Sequence, residues 1–408
     1  MNPLAITAAL ALAAAAVAEP MQSEDAMQHT PPNLVSQMLA TPALAQSSAV
    51  VAPDEHRLQV LISEAVEHDG PPTLRRHGFR VDAEYFYPAS TIKLAAAIVA
   101  CQELDRLAEV HDGGVGLDTP IELQPEFDDE SLEAADPTNL DGGTITVGHE
   151  IRKLFIVSNN TAYNRLYDLV GQEELNTAMW AAGLSSVRLS HRLSISRTTE
   201  QNRTTRAVKL VAATGPIELA GKRSELDLTV RDVPGIEVGE RYISRGTTIQ
   251  RPMDFSTKNR VSLVDLQDML VKATRPDIDL GTPGFALSEP HREHLLAAMR
   301  ELPRESTNPT YDPAKYRDDW VKFLLPGLDR VAPRGAFTIY NKVGLAYGFM
   351  IENAYVVHEP SGRSLFVTAA IYANPNATLN DNIYGYETTS LPFLADLGEA
   401  IGRHLLAE

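Results

Sequence analysis

The sequence predicts an α+β fold in which an antiparallel sheet, flanked by N- and C-terminal helices, accompanies a mostly helical second lobe. Two observations carry this prediction. Near the C-terminus, residues 337–343, 349–357 and 365–372 are apolar runs separated by turn residues, and they predict sequential antiparallel strands. In the middle of the chain, apolar residues instead recur at helical spacing. Strands and helices in separate stretches of the chain are typical of an α+β architecture.

The N-terminus predicts export. Residues 4–18 form an apolar, Ala-rich run that ends in Ala16-Val17-Ala18, which is typical of a signal peptide over residues 1–18. No Lys or Arg precedes the run, so a short N-terminal anchor or a different start is the alternative. We expect a periplasmic or secreted protein without stable membrane insertion after processing. Residues 19–54 are rich in Pro, Gln, Ser and Ala and predict a flexible linker.

The folded domain is expected over residues 55–408. Apolar residues between Leu58 and Val66 recur at helical spacing and predict its N-terminal helix, and a last helix is expected over 393–406. The α/β lobe should comprise residues 55–89 and 331–408, and the helical lobe about 90–330. Within that lobe, an Arg-rich and then strand-like stretch predicts an insertion over about 188–260.

The helical lobe shows clear boundary signals. Ser262 and Ser288 precede apolar-periodic segments as N-caps do. The residues 94–101 are apolar on every face, so the helix that contains them should lie at the centre of a domain. The predicted helices before Ser262 span about 90–107, 147–157, 161–170 and 172–182.

Composition excludes several classes of function. The chain has 408 residues and a net charge of −18, which argues against nucleic acid or an anionic membrane surface as a partner. Cys101 is the only cysteine, so no internal disulfide can form. His149, His191 and His358 do not have ligand spacing, and we expect neither a metal nor another cofactor. A monomer is expected.

The most informative segment of the chain joins an extended aromatic run to an apolar helix. Ser90 and Lys93 lie there, and a spacing of three places both on one helix face. Burial among Leu94, Ala97 and Ile98 would lower the pKa of the Lys93 amine, and a neutral amine can activate a hydroxyl. By itself the pattern also fits a Ser N-cap followed by a solvated Lys.

Two further motifs follow in order. Ser158-Asn159-Asn160 precedes a helix, and Lys342-Val343-Gly344 enters the strand-rich C-terminal stretch. With Ser90 and Lys93, these motifs resemble the serine penicillin-recognising enzymes, and within them the class A β-lactamase-like hydrolases. The resemblance covers about residues 55–408 and implies an active site between the two lobes.

The resemblance implies catalytic roles for several residues. Ser90 would be the nucleophile and Lys93 its base. Ser158 would relay a proton to the leaving nitrogen, with Lys342 lowering the cost of that transfer. The oxyanion would be bound by the backbone N–H groups of Ser90 and Leu345.

The resemblance also implies substrate-binding roles. Asn160 would hydrogen-bond a substrate amide, and Lys342 would bind a substrate carboxylate. Gly344 would let substrate lie against the strand because it lacks a side chain. Asn164 would brace a loop over the site, although a solvated helix Asn is the alternative.

Two departures from the motifs matter. Val343 stands where relatives have Thr or Ser, so the hydroxyl that would assist Lys342 is missing. The Glu that activates the deacylating water in class A β-lactamases has no obvious counterpart, because alignment on residues 187–189 places Leu193 or a neighbour there. Glu200 is the nearest loop carboxylate and the candidate base, with a solvated loop residue as the alternative.

The sequence therefore predicts an exported serine hydrolase that works through an acyl-Ser90 intermediate. Its substrate would be a small or peptide-like amide bearing a carboxylate, with β-lactam the default. The alternatives are a D,D-peptidase, transpeptidase or esterase on the same fold, and a non-catalytic binding module.

Overall fold

The computed structural model describes residues 33–139 and 141–407, so the predicted signal peptide over 1–18 lies outside the described residues. The helices in chain order are α1 Leu34–Leu39, α2 Pro42–Ala45, α3 Ser48–Val51, α4 Lys93–Val110, α5 Val147–Ile156, α6 Asn160–Val170, α7 Gln172–Ala181, α8 Thr199–Arg203, α9 Leu263–Thr274, α10 Glu289–Arg300, α11 Leu325–Leu328 and α12 Leu391–Leu406. The strands are β1 Gln59–Val66, β2 Thr73–Phe79, β3 Ile121–Leu123, β4 Val208–Ala212, β5 Gly215–Leu219, β6 Glu237–Val238, β7 Arg241–Ser244, β8 Thr247–Ile249, β9 Met253–Asp254, β10 Phe337–Asn341, β11 Gly344–Ala346, β12 Phe349–His358, β13 Ser364–Tyr372 and β14 Thr378–Leu379.

The main sheet confirms the predicted α+β class. Its strands run in the order β10-β12-β13-β1-β2, all pairs are antiparallel, and β11 continues β10 alongside β12. Alternate side chains of each strand enter different apolar cores: Leu61 packs with the helical lobe, whereas Val60 and Ile62 pack with α12. The three predicted C-terminal strands, the central helices and the last helix are all present.

The expected N-terminal helix between Leu58 and Val66 is wrong, because this segment is strand β1. It pairs with β13 on one side and β2 on the other. Both faces are covered over its first half, so the apolar residues do not alternate, and its polar residues are buried through hydrogen bonds. Gln59 donates to the Glu84 carbonyl at 3.0 Å, and Ser63 donates to Gln267.

The predicted linker over 19–54 is corrected for its described part, residues 33–54. Helices α1, α2 and α3 occupy most of this stretch, and Val35, Met38 and Leu44 are buried in the core beside α12. Asn33 caps α1 and also donates to the Gly78 carbonyl of β2 at 2.8 Å. The composition of residues 33–54 is typical of a linker, but the apolar residues of this segment pack against the sheet and α12.

Residues 188–260, which we interpreted as an insertion, form a long loop whose two ends are joined by backbone hydrogen bonds. Arg188 and Arg260 form an antiparallel bridge, with N–O distances of 2.8 and 2.9 Å. Between them lie α8 and strands β4 to β9. Strand β7 also pairs with β14 from the C-terminal part of the chain. In the described part of the chain, no helix has the length and apolar character needed to cross a bilayer.

Candidate active site

Ser90 lies in a single turn of 3₁₀ helix, Ala89–Ile92, that leads directly into α4. Ala89 has φ 48°, a conformation that is costly for a residue with a side chain. The same left-handed backbone recurs at Ser158, Ser194 and Tyr347, with φ between 55° and 56°. Strained residues of this kind cluster at functional sites, and all four lie at or beside one cleft.

Lys93 is fully buried at the start of α4. Its Nζ donates to the Ser158 carbonyl at 2.5 Å, to Ser158 Oγ at 3.2 Å and to Asn160 Oδ1 at 2.6 Å. Desolvation, with a smaller contribution from the Lys342 charge, holds the pKa of the Lys93 amine well below its ordinary value. The structure therefore brings Lys93 together with Ser158, a predicted catalytic residue, and with Asn160, a predicted substrate-binding residue. The side-chain hydrogen bonds of Lys93 do not go to Ser90.

Lys342 approaches the same hydroxyl from the sheet. Its Nζ donates to Ser158 Oγ at 2.9 Å and to the Val343 carbonyl at 3.0 Å. Burial lowers the pKa of Lys342 to about 7, opposed by the nearby Glu352 carboxyl and assisted by Lys322. Ser158 Oγ thus lies between two amines, which is the arrangement that a proton relay requires.

Strand alternation decides the role of Val343. Lys342 N donates to Asn353 O at 3.0 Å, and the register pairs Gly344 with Ile351, so Lys342 and Gly344 face one side of the sheet. Val343 therefore faces the other side, where it is 3% exposed and packs in the core beside α12. Our expectation that position 343 faces the cleft and would assist carboxylate binding is wrong.

Gly344 is needed for close packing, which corrects the predicted reason for it. A Cβ there would lie 2.4 Å from the Pro88 carbonyl and 3.2 Å from the Ala89 Cβ, so β11 and the turn that carries Ser90 are in direct contact. Because the 342–353 pair is hydrogen-bonded, the 345–350 pair is not, and the Leu345 N–H points away from β12. Leu345 is 45% exposed and lines the cleft. The N–H groups assigned to the oxyanion site therefore lie on adjoining segments.

A cleft of about 500 Å³ opens over Ser90. Its lining comprises Asn160 and residues 190–197, residues 345–347, and Thr257 with Lys258. Tyr87 lies within it, stacked on His191 and edge-on to Tyr347. Among the described residues, no Asp or Glu lines this cleft.

The structure does not support Glu200 as the deacylating base. Glu200 lies in the first turn of α8, its side chain is 64% exposed, and it accepts a hydrogen bond from Arg223 at 2.8 Å. That bond lowers the pKa of the Glu200 carboxyl. The neighbouring Thr199 and Asn202 line the cleft, but Glu200 does not.

Asn164 makes the bracing contact that the resemblance implied. Its Nδ2 donates to the Leu193 carbonyl at 3.0 Å, and Leu193 N donates to its Oδ1 at 2.9 Å. Asn160 reaches the same loop by donating to Ser194 Oγ at 2.7 Å. The braced residue is therefore a leucine, at the position where alignment places a glutamate in relatives.

Ion pairs hold the rest of this loop against α6. Arg192 is buried and donates to Asp168 at 2.5 Å, and Arg206 donates to the same carboxylate at 2.8 Å. Arg197 pairs with Asp129 and Glu130, at 2.8 and 2.9 Å. The acidic run at 128–130, which reads as a solvated loop, thus fixes the loop that forms the cleft wall.

Sequence reasoning missed two residues of the cleft wall. In the sequence, His191 lacks ligand spacing and no motif includes Lys258. Both enter the cleft through the closure of the 188–260 loop, where Asn259 accepts hydrogen bonds from the backbone N–H groups of Ser190 and His191 at 2.7 and 3.2 Å. A contact across so many residues leaves no local signal. In the described part of the chain, no group of three or more His, Cys, Asp or Glu side chains could hold a metal ion.

Comparisons with known proteins agree with this fold. A model of the beta-lactamase enzyme family matches residues 77–217. A β-lactamase structure from Burkholderia ambifaria is 15% identical, with a TM-score of 0.51 over 88% of this chain and 98% of that one. One from Xanthomonas campestris pv. campestris is 16% identical, with a TM-score of 0.50 over 92% and 99%. No curated protein matches the chain. The fold is that of the serine penicillin-recognising enzymes, and it supports a hydrolase.

Proposed function

We propose that this protein is a serine hydrolase of the class A β-lactamase-like type that forms an acyl-enzyme at Ser90, with β-lactams as the default substrates. The observation that carries the proposal is that the buried amines of Lys93 and Lys342 both contact Ser158 Oγ, beside the cleft that Ser90 and Asn160 line. We also propose that the protein is exported and monomeric, the export resting on the apolar run at 4–18.

In the proposed acylation, the Lys93 amine takes the Ser90 proton as Oγ attacks the substrate carbonyl. The N–H groups of Ser90 and Leu345 hold the oxyanion. The bond to the leaving nitrogen then breaks. Ser158 gives that nitrogen its proton and takes a replacement proton from the Lys93 ammonium, and the charge of Lys342 favours this step. Asn160 and Lys342 bind the substrate amide and carboxylate.

Intact-mass spectrometry with a penicillin tests this proposal. We expect one covalent adduct on the wild-type protein and none on Ser90→Ala, with unchanged folding of the variant. An adduct that persists in Ser90→Ala would remove Ser90 as the nucleophile. The absence of any adduct on the wild type, with a penicillin and with an activated ester, would favour a non-catalytic binding module.

A specific observation favours a second candidate, a D,D-peptidase, transpeptidase or esterase. The described residues place no carboxylate in the cleft wall, so the activated water of a fast β-lactamase lacks its base. The lifetime of the penicillin adduct separates the two functions: turnover within seconds supports a β-lactamase, and an adduct stable for hours supports the second candidate.

A further inference from the structure

We propose, building on the function above, that the cleft takes a substrate with a second anionic group and that the Lys258 ammonium binds this group. The carboxylate at Lys342 would be the first anion. The second would lie at the part of the cleft wall where the 188–260 loop closes.

Lys258 is held firmly at that wall. Its backbone N donates to Phe255 O at 2.9 Å, and its carbonyl accepts from Ser190 Oγ at 3.5 Å. The next residue, Asn259, is fully buried and ties the two ends of the loop together through Ser190 and His191. Little ordering entropy therefore remains for the Lys258 backbone to lose when a ligand binds.

Lys258 has no counter-charge in the described part of the chain. The two arginines that line the same cleft are neutralised, Arg192 by Asp168 and Arg197 by Asp129 and Glu130. Lys258 makes no such ion pair, and desolvation lowers its pKa. A half-buried ammonium without a partner is costly, and an anion in the cleft would offset that cost. In a chain with a net charge of −18, a cleft wall that has cations and no carboxylate is selective for anions.

His191 adds a second unpartnered group beside Lys258. Its Nδ1 lies 2.6 Å from the Arg192 carbonyl, an acceptor only, so Nδ1 carries the proton. Nε2 is then an acceptor, and it is buried without a partner. Burial lowers the pKa of His191 to about 4, despite the Arg192 hydrogen bond that raises it, so the ring is neutral at pH 7. This arrangement suits a ligand group that carries both an anion and a hydrogen-bond donor, with the anion at the Lys258 ammonium and the donor at His191 Nε2. The ring of Tyr87, which stacks on His191, supplies an apolar face for that ligand group.

Two penicillins that differ by one carboxylate test this inference: benzylpenicillin and carbenicillin, its α-carboxy analogue. In the wild type we expect carbenicillin to acylate Ser90 more efficiently, by about 10-fold or more, because a charged hydrogen bond in a partly buried site is worth roughly one to two decades. Lys258→Met should abolish the preference, measured as the ratio of the carbenicillin to the benzylpenicillin acylation rate within the variant. Lys209→Met, which removes the same charge from β4 outside the cleft, should retain it.

Benzylpenicillin lacks the second carboxylate, so its acylation reports the proposed function alone. Acylation by benzylpenicillin without a carbenicillin preference, or a preference that survives Lys258→Met, would overturn the inference and leave the proposed function standing. If neither compound acylates the protein, calorimetric titration of Ser90→Ala with both decides: equal affinities would overturn the inference, and a preference that depends on Lys258 would support it as a binding property.

Discussion

Two amines converge on one hydroxyl at the centre of this site, and burial makes both of them unusual. Lys93 and Lys342 each contact Ser158 Oγ, and both have a pKa below the ordinary value because desolvation disfavours the ammonium form. The chain thereby gains a neutral amine that can accept a proton near neutral pH. It also carries buried charge that destabilises the fold, so function and stability oppose each other at these residues.

Lys342→Met should make the protein more stable than the wild type at neutral pH, and this difference in stability should disappear at alkaline pH. The folded pKa of about 7 lies below the unfolded value, so the unfolded state binds more protons between pH 7 and about 10.5, and wild-type stability rises over that window. Below pH 7 the penalty is complete, at most roughly 4 to 5 kcal/mol. Melting temperatures of both proteins at pH 6 and pH 9.5 should therefore converge at the higher pH. A gap that is the same at both values would contradict the depressed pKa.

Lys93→Met should slow acylation by about 10²- to 10⁴-fold, the usual range for losing a general base. Stopped-flow rates with a chromogenic β-lactam measure this, and a preserved melting curve controls for folding. Catalytic hydrogen bonds often tighten only when substrate is bound, so the contacts of Lys93 with Ser158 and Asn160 are compatible with this role. An unchanged rate would assign the proton transfer to another group.

At the scale of elements, the sequence predicted correctly those segments that are amphipathic, because such segments have a clear apolar periodicity. Helices α5, α6 and α9 are amphipathic and have side-chain N-caps, such as Ser262 accepting from Asp265 N at 3.1 Å. The bounds of α5 and α6 and the N-cap of α9 were predicted closely. Strand β1 was mistaken for a helix because both of its faces are covered, which removes the alternation that marks a strand.

The parts of the site that lie close together in sequence could be predicted, whereas those that depend on contacts between distant residues could not. The motifs at Ser90, Ser158 and Lys342 are local in sequence, and the resemblance assigned them to one site. The cleft wall depends on contacts between distant residues, such as Arg197 with Asp129 and Asn259 with His191, and could not be predicted. The orientation of Val343 needed the register of β11 on β12.

Asn164→Ala should loosen the cleft wall without unfolding the protein. The substitution removes both hydrogen bonds to Leu193, leaving the loop held by the ion pairs of Arg192 and Arg197. Amide hydrogen exchange over residues 190–197 should accelerate by about 10-fold or more, consistent with the loss of two hydrogen bonds of roughly 1 kcal/mol each. Strand β12 is the internal control and should exchange as before. Unchanged exchange in the loop would show that the ion pairs alone fix it.

At the scale of the whole molecule, the N-terminal helices complete the face of the sheet that lies opposite the active site. Helix α12 covers part of that face, and α1 to α3 cover more of it, with Leu34, Val35, Met38, Leu39 and Leu44 buried there. The same core contains Val343, the residue after Lys342. Packing on the far face therefore supports the strand segment that carries Lys342.

This dependence yields a prediction about the minimal stable chain. A protein that begins at residue 55, the boundary expected from sequence, would expose the surface that α1 to α3 cover. Each buried large apolar side chain contributes about 1.5 to 3 kcal/mol, so the combined loss is comparable to the whole stability of most domains. We expect that protein to be insoluble or to melt at least 10 °C lower than one beginning at residue 33, which retains all three helices and serves as the matched control. Equal melting temperatures would mean that these helices add nothing to the fold, and residues 33–54 would then be a tether, as their composition indicates.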